Sequence, residues 1–184
     1  MPLTRKALKL FAGYLPMLRQ VTFNQADESS LQAYAYNQGW KSLGWDCYQL
    51  EPWILIAQFT EKHQLESLCL PLVYWENFER RDHANGQSYQ KAREDFDKDY
   101  YALLATCTQQ LGLPILEDMM QNYDDEVLKE EGWDKLIFHY AFWQGQHHLY
   151  ILQQCERDVQ FGVEINFTVM PWSVSEPLPV MPIY

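Results

Sequence analysis

The five histidines are the residues that could most readily supply metal or acid–base chemistry. His147 and His148 follow the turn at residues 144–146, and neighbouring residues of a strand point to opposite faces, so the pair is not expected to hold one metal ion. His139 lies within a predicted strand, where we expect it to be half-buried and hydrogen-bonded. No His-x-x-x-His spacing occurs in the sequence. The sequence therefore predicts no metal site and no cofactor.

A nucleophile or a phosphate-binding loop would also leave a local signature. The chain contains no Gly-x-Ser-x-Gly element and no glycine-rich phosphate loop, since its 8 glycines are scattered. Its 4 cysteines form no Cys-x-x-Cys pair, and their apolar neighbours predict free thiols in a reducing cytoplasm. We therefore predict no catalytic residues. A small cytoplasmic enzyme with an unrecognised pocket stays an alternative, with His139, Tyr140 and Asp158 as its candidate residues.

Carboxylates are the most abundant charged side chains in the sequence. The 184 residues include 25 Asp and Glu against 14 Lys and Arg, which gives a formal charge of -11, and residues 76–134 hold fifteen of the acids with only six bases. The negative charge of such a chain opposes binding to nucleic acids, because contacts to their phosphate backbone require cationic side chains. A basic protein is the predicted partner. The candidate partner-binding residues are Glu76, Glu79, Asp82, Glu94, Asp95, Asp97, Asp99, Asp124, Asp125, Glu126, Trp133 and Asp158.

One long helix is expected to position several of these carboxylates. Between Ser88 and Leu111 the apolar residues recur at intervals of three and four, which places them on one face of a helix. Ser88 is a plausible N-cap, and Gly112 followed by Pro114 is a stop signal. We expect the carboxylates at positions 94–99 to lie on the opposite, solvent-facing side of this helix.

The remaining pattern predicts an α+β fold, in which an antiparallel sheet packs against helices. Two helices are predicted near the N-terminus, the second capped by Asp27 or Ser29 and ended by Gly39. Residues 53–59 and 65–75 predict a hairpin, with Pro71 marking an edge or a bulge. Residues 135–143, 148–156 and 163–169 alternate in the manner of a three-stranded meander that packs on the long helix.

Length and hydropathy limit the organisation of the chain. We expect a single domain over 1–184, with a proline-rich C-terminal arm over 171–184. The longest apolar stretch, at residues 50–59, is about half of what a membrane span requires, so no membrane segment is predicted. We interpret the N-terminal residues as an amphipathic helix rather than a secretion signal.

Size, acidity and the α+β pattern together resemble those of the small acidic immunity proteins that bacteria pair with polymorphic nuclease toxins. The end of the meander adds to the resemblance, through Trp143 to Gly145, Leu152-Gln153-Gln154, Asp158 and Phe161-Gly162. The resemblance covers about half of the chain and has no diagnostic motif, so no binding residue is transferred from it. It implies a cytoplasmic, metal-free and non-catalytic inhibitor. The sequence thus predicts an antitoxin-type module that neutralises a basic partner through an acidic, aromatic surface.

Overall fold

A computed structural model describes residues 3–23, 26–75, 89–119, 136–158 and 162–179 of the chain. Its helices are α1 (Arg5–Leu18), α2 (Glu28–Asn37) and α3 (Tyr89–Leu111). Its strands are β1 (Lys41–Gly44), β2 (Cys47–Leu50), β3 (Trp53–Phe59), β4 (Leu65–Trp75), β5 (Leu116–Met119), β6 (Leu136–Gln144), β7 (His148–Asp158) and β8 (Gly162–Pro171).

The two N-terminal helices begin at side-chain caps. The Thr4 hydroxyl accepts a hydrogen bond from the Ala7 amide at the start of α1. At α2, Asp27 and Ser30 form a reciprocal capping box, in which each side chain accepts from the other residue's amide. Gly39 follows α2 with a φ of 72°, a conformation that glycine adopts without steric cost. Both predicted N-terminal helices are therefore present, and Asp27, one of the two predicted caps, begins the second.

The strands form one antiparallel sheet in the order β1-β2-β3-β4-β8-β7-β6-β5. The predicted hairpin is β3 and β4, and the predicted meander is β6, β7 and β8. Pro71 lies in an interior strand, at an irregularity in the pairing of β4 with β8, so the bulge predicted for it is confirmed. The four-residue strands β1, β2 and β5 were not predicted, and they extend the sheet at both edges.

The helices pack on one face of this sheet, where the main core forms. Phe11 of α1 packs edge to face against Trp53 and Phe167. The apolar stripe of α3 is buried on the same face, with Phe96 and Leu103 both fully inaccessible to solvent. This layer arrangement confirms the predicted α+β class. Among the described helices, none carries an apolar stretch long enough to span a bilayer.

The opposite face carries a second apolar cluster, beside the beginning of the C-terminal arm. Phe142, Leu149 and Ile151 are buried there, and Trp172 and Leu178 of the arm pack against them. The Trp172 amide donates to the His147 carbonyl at 3.1 Å, and its indole Nε1 donates to the Pro177 carbonyl at 3.2 Å. Up to residue 179, the predicted arm is thus held against the sheet.

Candidate functional site

The carboxylates of α3 fall into different environments. Glu94 is exposed, as predicted. Asp95 is half-buried and forms an ion pair with Lys98, three residues later, at 2.8 Å. This pair neutralises part of the negative charge that the sequence places on the helix. An exposed pair of this kind adds little stability, so its main effect is on the surface potential.

Asp97 is fixed by two side chains from the sheet. Its Oδ1 accepts a hydrogen bond from Gln154 Nε2 at 2.9 Å and lies 3.4 Å from His139 Nε2. His139 and Gln154 are paired residues of β6 and β7, so both side chains project from the same face toward α3. About 27% of the Asp97 side chain stays exposed. The sheet therefore holds this carboxylate in one orientation at the margin of the helix.

His139 is enclosed by aromatic rings. It is 4% exposed, with the Tyr100 ring stacked on it at a centroid distance of 4.9 Å and the Tyr101 ring edge-on at 5.3 Å. Its burial is more complete than the half-burial that the strand pattern suggested, and the hydrogen bonding predicted for it stays a prediction. The arrangement makes His139 a support for Asp97 and the tyrosines.

Asp99 contradicts the prediction that the α3 carboxylates face solvent. It is 8% exposed, and its two carboxylate oxygens lie 3.2 and 3.1 Å from the Leu3 amide, which donates to them. Burial raises the pKa of Asp99, while the Leu3 hydrogen bond acts in the opposite direction. Asp99 follows Phe96 by three residues and precedes Leu103 by four, so helical geometry places it on the buried stripe. Its role is to join α3 to the start of α1.

The edge strand β5 brings two further carboxylates to the same region. Glu117 and Asp118 are both exposed, and Asp118 accepts a hydrogen bond from the Tyr140 hydroxyl at 3.2 Å. Glu117 pairs with Ala141, a residue of the helix-covered face, so its side chain lies on the α3 side of the sheet. Its charge, after the larger effect of burial, raises the pKa of the Tyr100 hydroxyl.

Acidic and aromatic side chains are exposed on α3 and on the α3 side of β5. We call this set the acidic edge and define it as Glu94, Asp97, Tyr101 and Glu117. Tyr101 is 49% exposed and touches His139, which connects it to Asp97. Glu117 was not among the predicted site residues, because nothing in the sequence marks residues 116–119 as a strand beside the helix. The structure thus combines two predicted carboxylates with two residues that the site prediction omitted.

The other predicted binding residues are not placed by the described part of the chain. Glu76, Glu79, Asp82, Asp124, Asp125, Glu126 and Trp133 lie outside the described residues. The backbone of Asp158 pairs with Gly162 at the end of β7, but the structure does not describe the Asp158 side chain. A single patch that includes all of these carboxylates therefore stays a prediction.

A buried polar row lies on the opposite face of the sheet. Glu164 is 3% exposed and accepts a hydrogen bond from Asn166 Nδ2 at 2.7 Å, and the Cys155 thiol approaches the same carboxylate oxygen at 3.7 Å. Among the described residues, no group of three or more histidine, cysteine or acidic side chains is arranged to hold a metal ion. None of the 4 cysteines, all within the described residues, forms a disulfide, and burial raises the pKa of Cys107 far above its usual range.

The most exposed large apolar residue among those described is Trp45, at 95%. It occupies the turn between β1 and β2 and was missed at the sequence level, because the strands that create this turn were missed. The sequence feature that indicates this turn is Gly44-Trp45-Asp46, which lies between two short segments of polar and apolar residues. Such a turn presents its central side chains to solvent.

Comparison of the chain with protein-family models, with curated proteins and with solved structures gives no match.

Proposed function

We propose that this protein is a non-catalytic binding module that neutralises a basic protein partner, in the manner of an immunity protein or antitoxin. The observation that carries the proposal is the acidic edge, which combines exposed Glu94 and Glu117 with the half-exposed ring of Tyr101. Charged groups beside a partly exposed aromatic ring are a common composition for a surface that recognises a cationic protein.

The two kinds of side chain have different tasks in this proposal. The carboxylates, with the net charge of -11, attract a basic partner over distances of about one Debye length, roughly 8–10 Å in physiological salt. Tyr101 then supplies apolar contact area at a small entropic cost, since its ring already packs against His139. Asp97 is held by Gln154 and so requires no reordering when it meets a cation.

The alternative of a small enzyme receives less support from the same region. His139 is 4% exposed and stacked on Tyr100, which leaves it poorly placed to meet a substrate. The high pKa of the buried Cys107 thiol is the opposite of what a nucleophile requires. Four cysteines that form no disulfide suit the reducing cytoplasm in which the proposal places the protein.

The proposal predicts that a neighbouring gene encodes a protein with a basic C-terminal domain, and the direct test uses that domain. Binding is measured by surface plasmon resonance at several salt concentrations, and protection is measured by co-expression in a bacterial host. We expect the wild-type protein to bind, to protect the host and to lose affinity as salt rises. The double variant Glu94→Lys and Glu117→Lys should bind about 10-fold more weakly or worse, mainly through a slower association rate.

A matched control is Glu61→Lys, an exposed charge reversal in the turn between β3 and β4. It lies several strands away from the acidic edge and should retain nearly the wild-type affinity. A neighbour without a basic domain, absence of binding, salt-independent binding, or equal loss in both variants would each contradict the proposal.

A further inference from the structure

Trp45, in the turn between β1 and β2, is unfavourable both in its exposure to water and in its backbone conformation. Trp45 is 95% exposed, so nearly all of its apolar surface meets water. Its φ of 53° and that of Asp46, 57°, also lie in the left-handed region, as a two-residue turn of type I′ requires. Aspartate tolerates this conformation, but a bulky residue such as tryptophan rarely adopts it. Neither exposure nor backbone geometry accounts for tryptophan at this position in the isolated chain.

A complementary hollow lies at the other end of β2. It is a cavity of about 320 Å³ between the first turns of α1 and the turn at residues 51–52. Most of the residues that line it are apolar, and two of them, Lys6 and Glu51, are charged. The lining includes Leu3, Ala7, Leu10, Pro52, Trp53, Lys6 and Glu51.

The rim of this cavity is already fixed by hydrogen bonds. The Glu51 carboxylate accepts from Gln49 Nε2 at 2.8 Å, and the Glu51 carbonyl accepts from the Tyr14 hydroxyl at 2.8 Å. Trp53, at the floor, is 8% exposed and donates its indole N–H to the Leu72 carbonyl. A ring that enters the cavity therefore meets a preformed site, which lowers the cost of binding.

The protrusion and the cavity have matching chemistry. The apolar Trp45 ring suits the apolar walls of the cavity. The indole Nε1–H of Trp45 can donate a hydrogen bond to the Glu51 carboxylate. Asp46, next to Trp45, carries the charge opposite to that of Lys6. Apolar contact, a hydrogen bond and an ion pair can thus form together when the tip of one molecule meets the cavity of another.

Their placement also suits a closed pair of molecules. The tip precedes Cys47 and the cavity rim follows Leu50, so the two lie at opposite ends of a strand of four residues, about 13 Å apart. A two-fold axis near the middle of this strand exchanges its ends. The tip of each copy then meets the cavity of the other, and both contacts form at once, as an isologous interface requires.

We infer that two copies of this chain form a dimer in which Trp45 of each copy inserts into the cavity bounded by Lys6, Leu10 and Glu51 of the other. The inference rests on Trp45 and the cavity, and none of its steps uses a residue of the acidic edge. The inference therefore stands independently of the proposed function.

Sedimentation equilibrium of the full chain tests it. The wild-type protein should sediment at twice its mass of 21.9 kDa at micromolar concentrations. Trp45→Asn removes the ring but suits the left-handed backbone, so the variant should fold and unfold cooperatively, with a melting temperature that, unlike that of the wild-type dimer, does not depend on protein concentration. Since each dimer loses two contacts, its dissociation constant should rise about 100-fold or more. A wild-type monomer at millimolar concentration, or an unchanged dimer of Trp45→Asn, would overturn the inference.

A second variant tests the cavity itself. Leu10→Glu places a carboxylate on the exposed wall of the cavity, where it removes apolar surface and repels Asp46 of the other copy. It should also sediment as a monomer, while the matched change Leu113→Glu, at an exposed position near β5, should leave the dimer intact.

Mixing the two variants separates this arrangement from other dimers. A pair made of one Trp45→Asn chain and one Leu10→Glu chain keeps one intact contact, because the tip of the second fits the cavity of the first. The mixture should therefore form more dimer than either variant alone. Equal dimer content in the mixture and in the separate variants would rule out the exchanged contacts.

Discussion

At the scale of single residues, the acidic run of α3 shows that a carboxylate's neighbours in space decide its role. Glu94 keeps its charge in water, whereas Asp97 binds Gln154 and Asp99 binds the Leu3 amide. These residues lie within six positions of one another, yet they lie in three different environments. The number of acidic residues in α3 therefore overstates the negative charge that this helix exposes to a partner.

Asp99→Asn should change how stability depends on pH. Because the folded-state pKa of Asp99 is raised above 3.8, the stability associated with its protonated form is fully present below that pH and is lost as pH rises through the raised value. The asparagine does not titrate, but its Oδ1 can still accept from Leu3. Urea unfolding should therefore show the wild type losing stability relative to the variant as pH rises from about 3.8 to 7. Glu94→Gln is the control, and a difference between wild type and Asp99→Asn that is constant with pH would contradict the prediction.

At the scale of elements, stop signals and pairing determine where helices and strands end. Gly112 ends α3 with a φ of 92°, and its amide donates to the Thr108 carbonyl at 3.0 Å. The sequence predicted this stop because glycine after an apolar helical stripe commonly adopts a left-handed conformation. The strand β5 begins only four residues later, and it exists through its pairing with β6.

Two glycine substitutions should have opposite effects on stability. Gly112→Ala places a Cβ in the left-handed region and should cost about 1–2 kcal/mol in the free energy of unfolding. Gly13→Ala lies inside α1, where an added Cβ meets nothing within 4 Å, and should add about 0.5–1 kcal/mol. Urea denaturation measures both. The prediction fails if Gly112→Ala is neutral or if the two changes have the same sign.

At the scale of the whole molecule, the sheet is covered differently on its two faces. The helices enclose one face, and the first part of the C-terminal arm packs on the other through Trp172 and Leu178. The edges of the sheet then carry the two proposed surfaces, with Trp45 beside β1 and the acidic edge beside β5. This separation would let one molecule contact a second copy and a basic partner at the same time.

Trp172→Ala should weaken the attachment of the arm. The change removes a half-buried ring from the second apolar cluster, together with its hydrogen bond to Pro177, and should cost about 1–2 kcal/mol in the free energy of unfolding. Val174→Ala, at a position of the same arm that is 69% exposed, should change it by less than about 0.5 kcal/mol. Comparable losses in urea unfolding would indicate that the arm is not held by Trp172.

The sequence by itself determined the features that depend on local periodicity and turn chemistry: the α+β class, the three helices of the described residues and the meander of β6, β7 and β8. For Pro71 it left an edge and a bulge open, and the pairing of β4 with β8 decided for the bulge. The sequence could not determine β1, β2 or β5, because a strand of four residues carries too short a pattern and is stabilised by its neighbour in the sheet. Nor could it determine which carboxylates of α3 are exposed, since Gln154 and Leu3 approach them from distant parts of the chain. The candidate surfaces are products of tertiary structure for the same reason. Long-range packing, and not sequence proximity, brings Glu117 to the α3 side of the sheet near Tyr100 and sets Trp45 and the cavity at opposite ends of one strand.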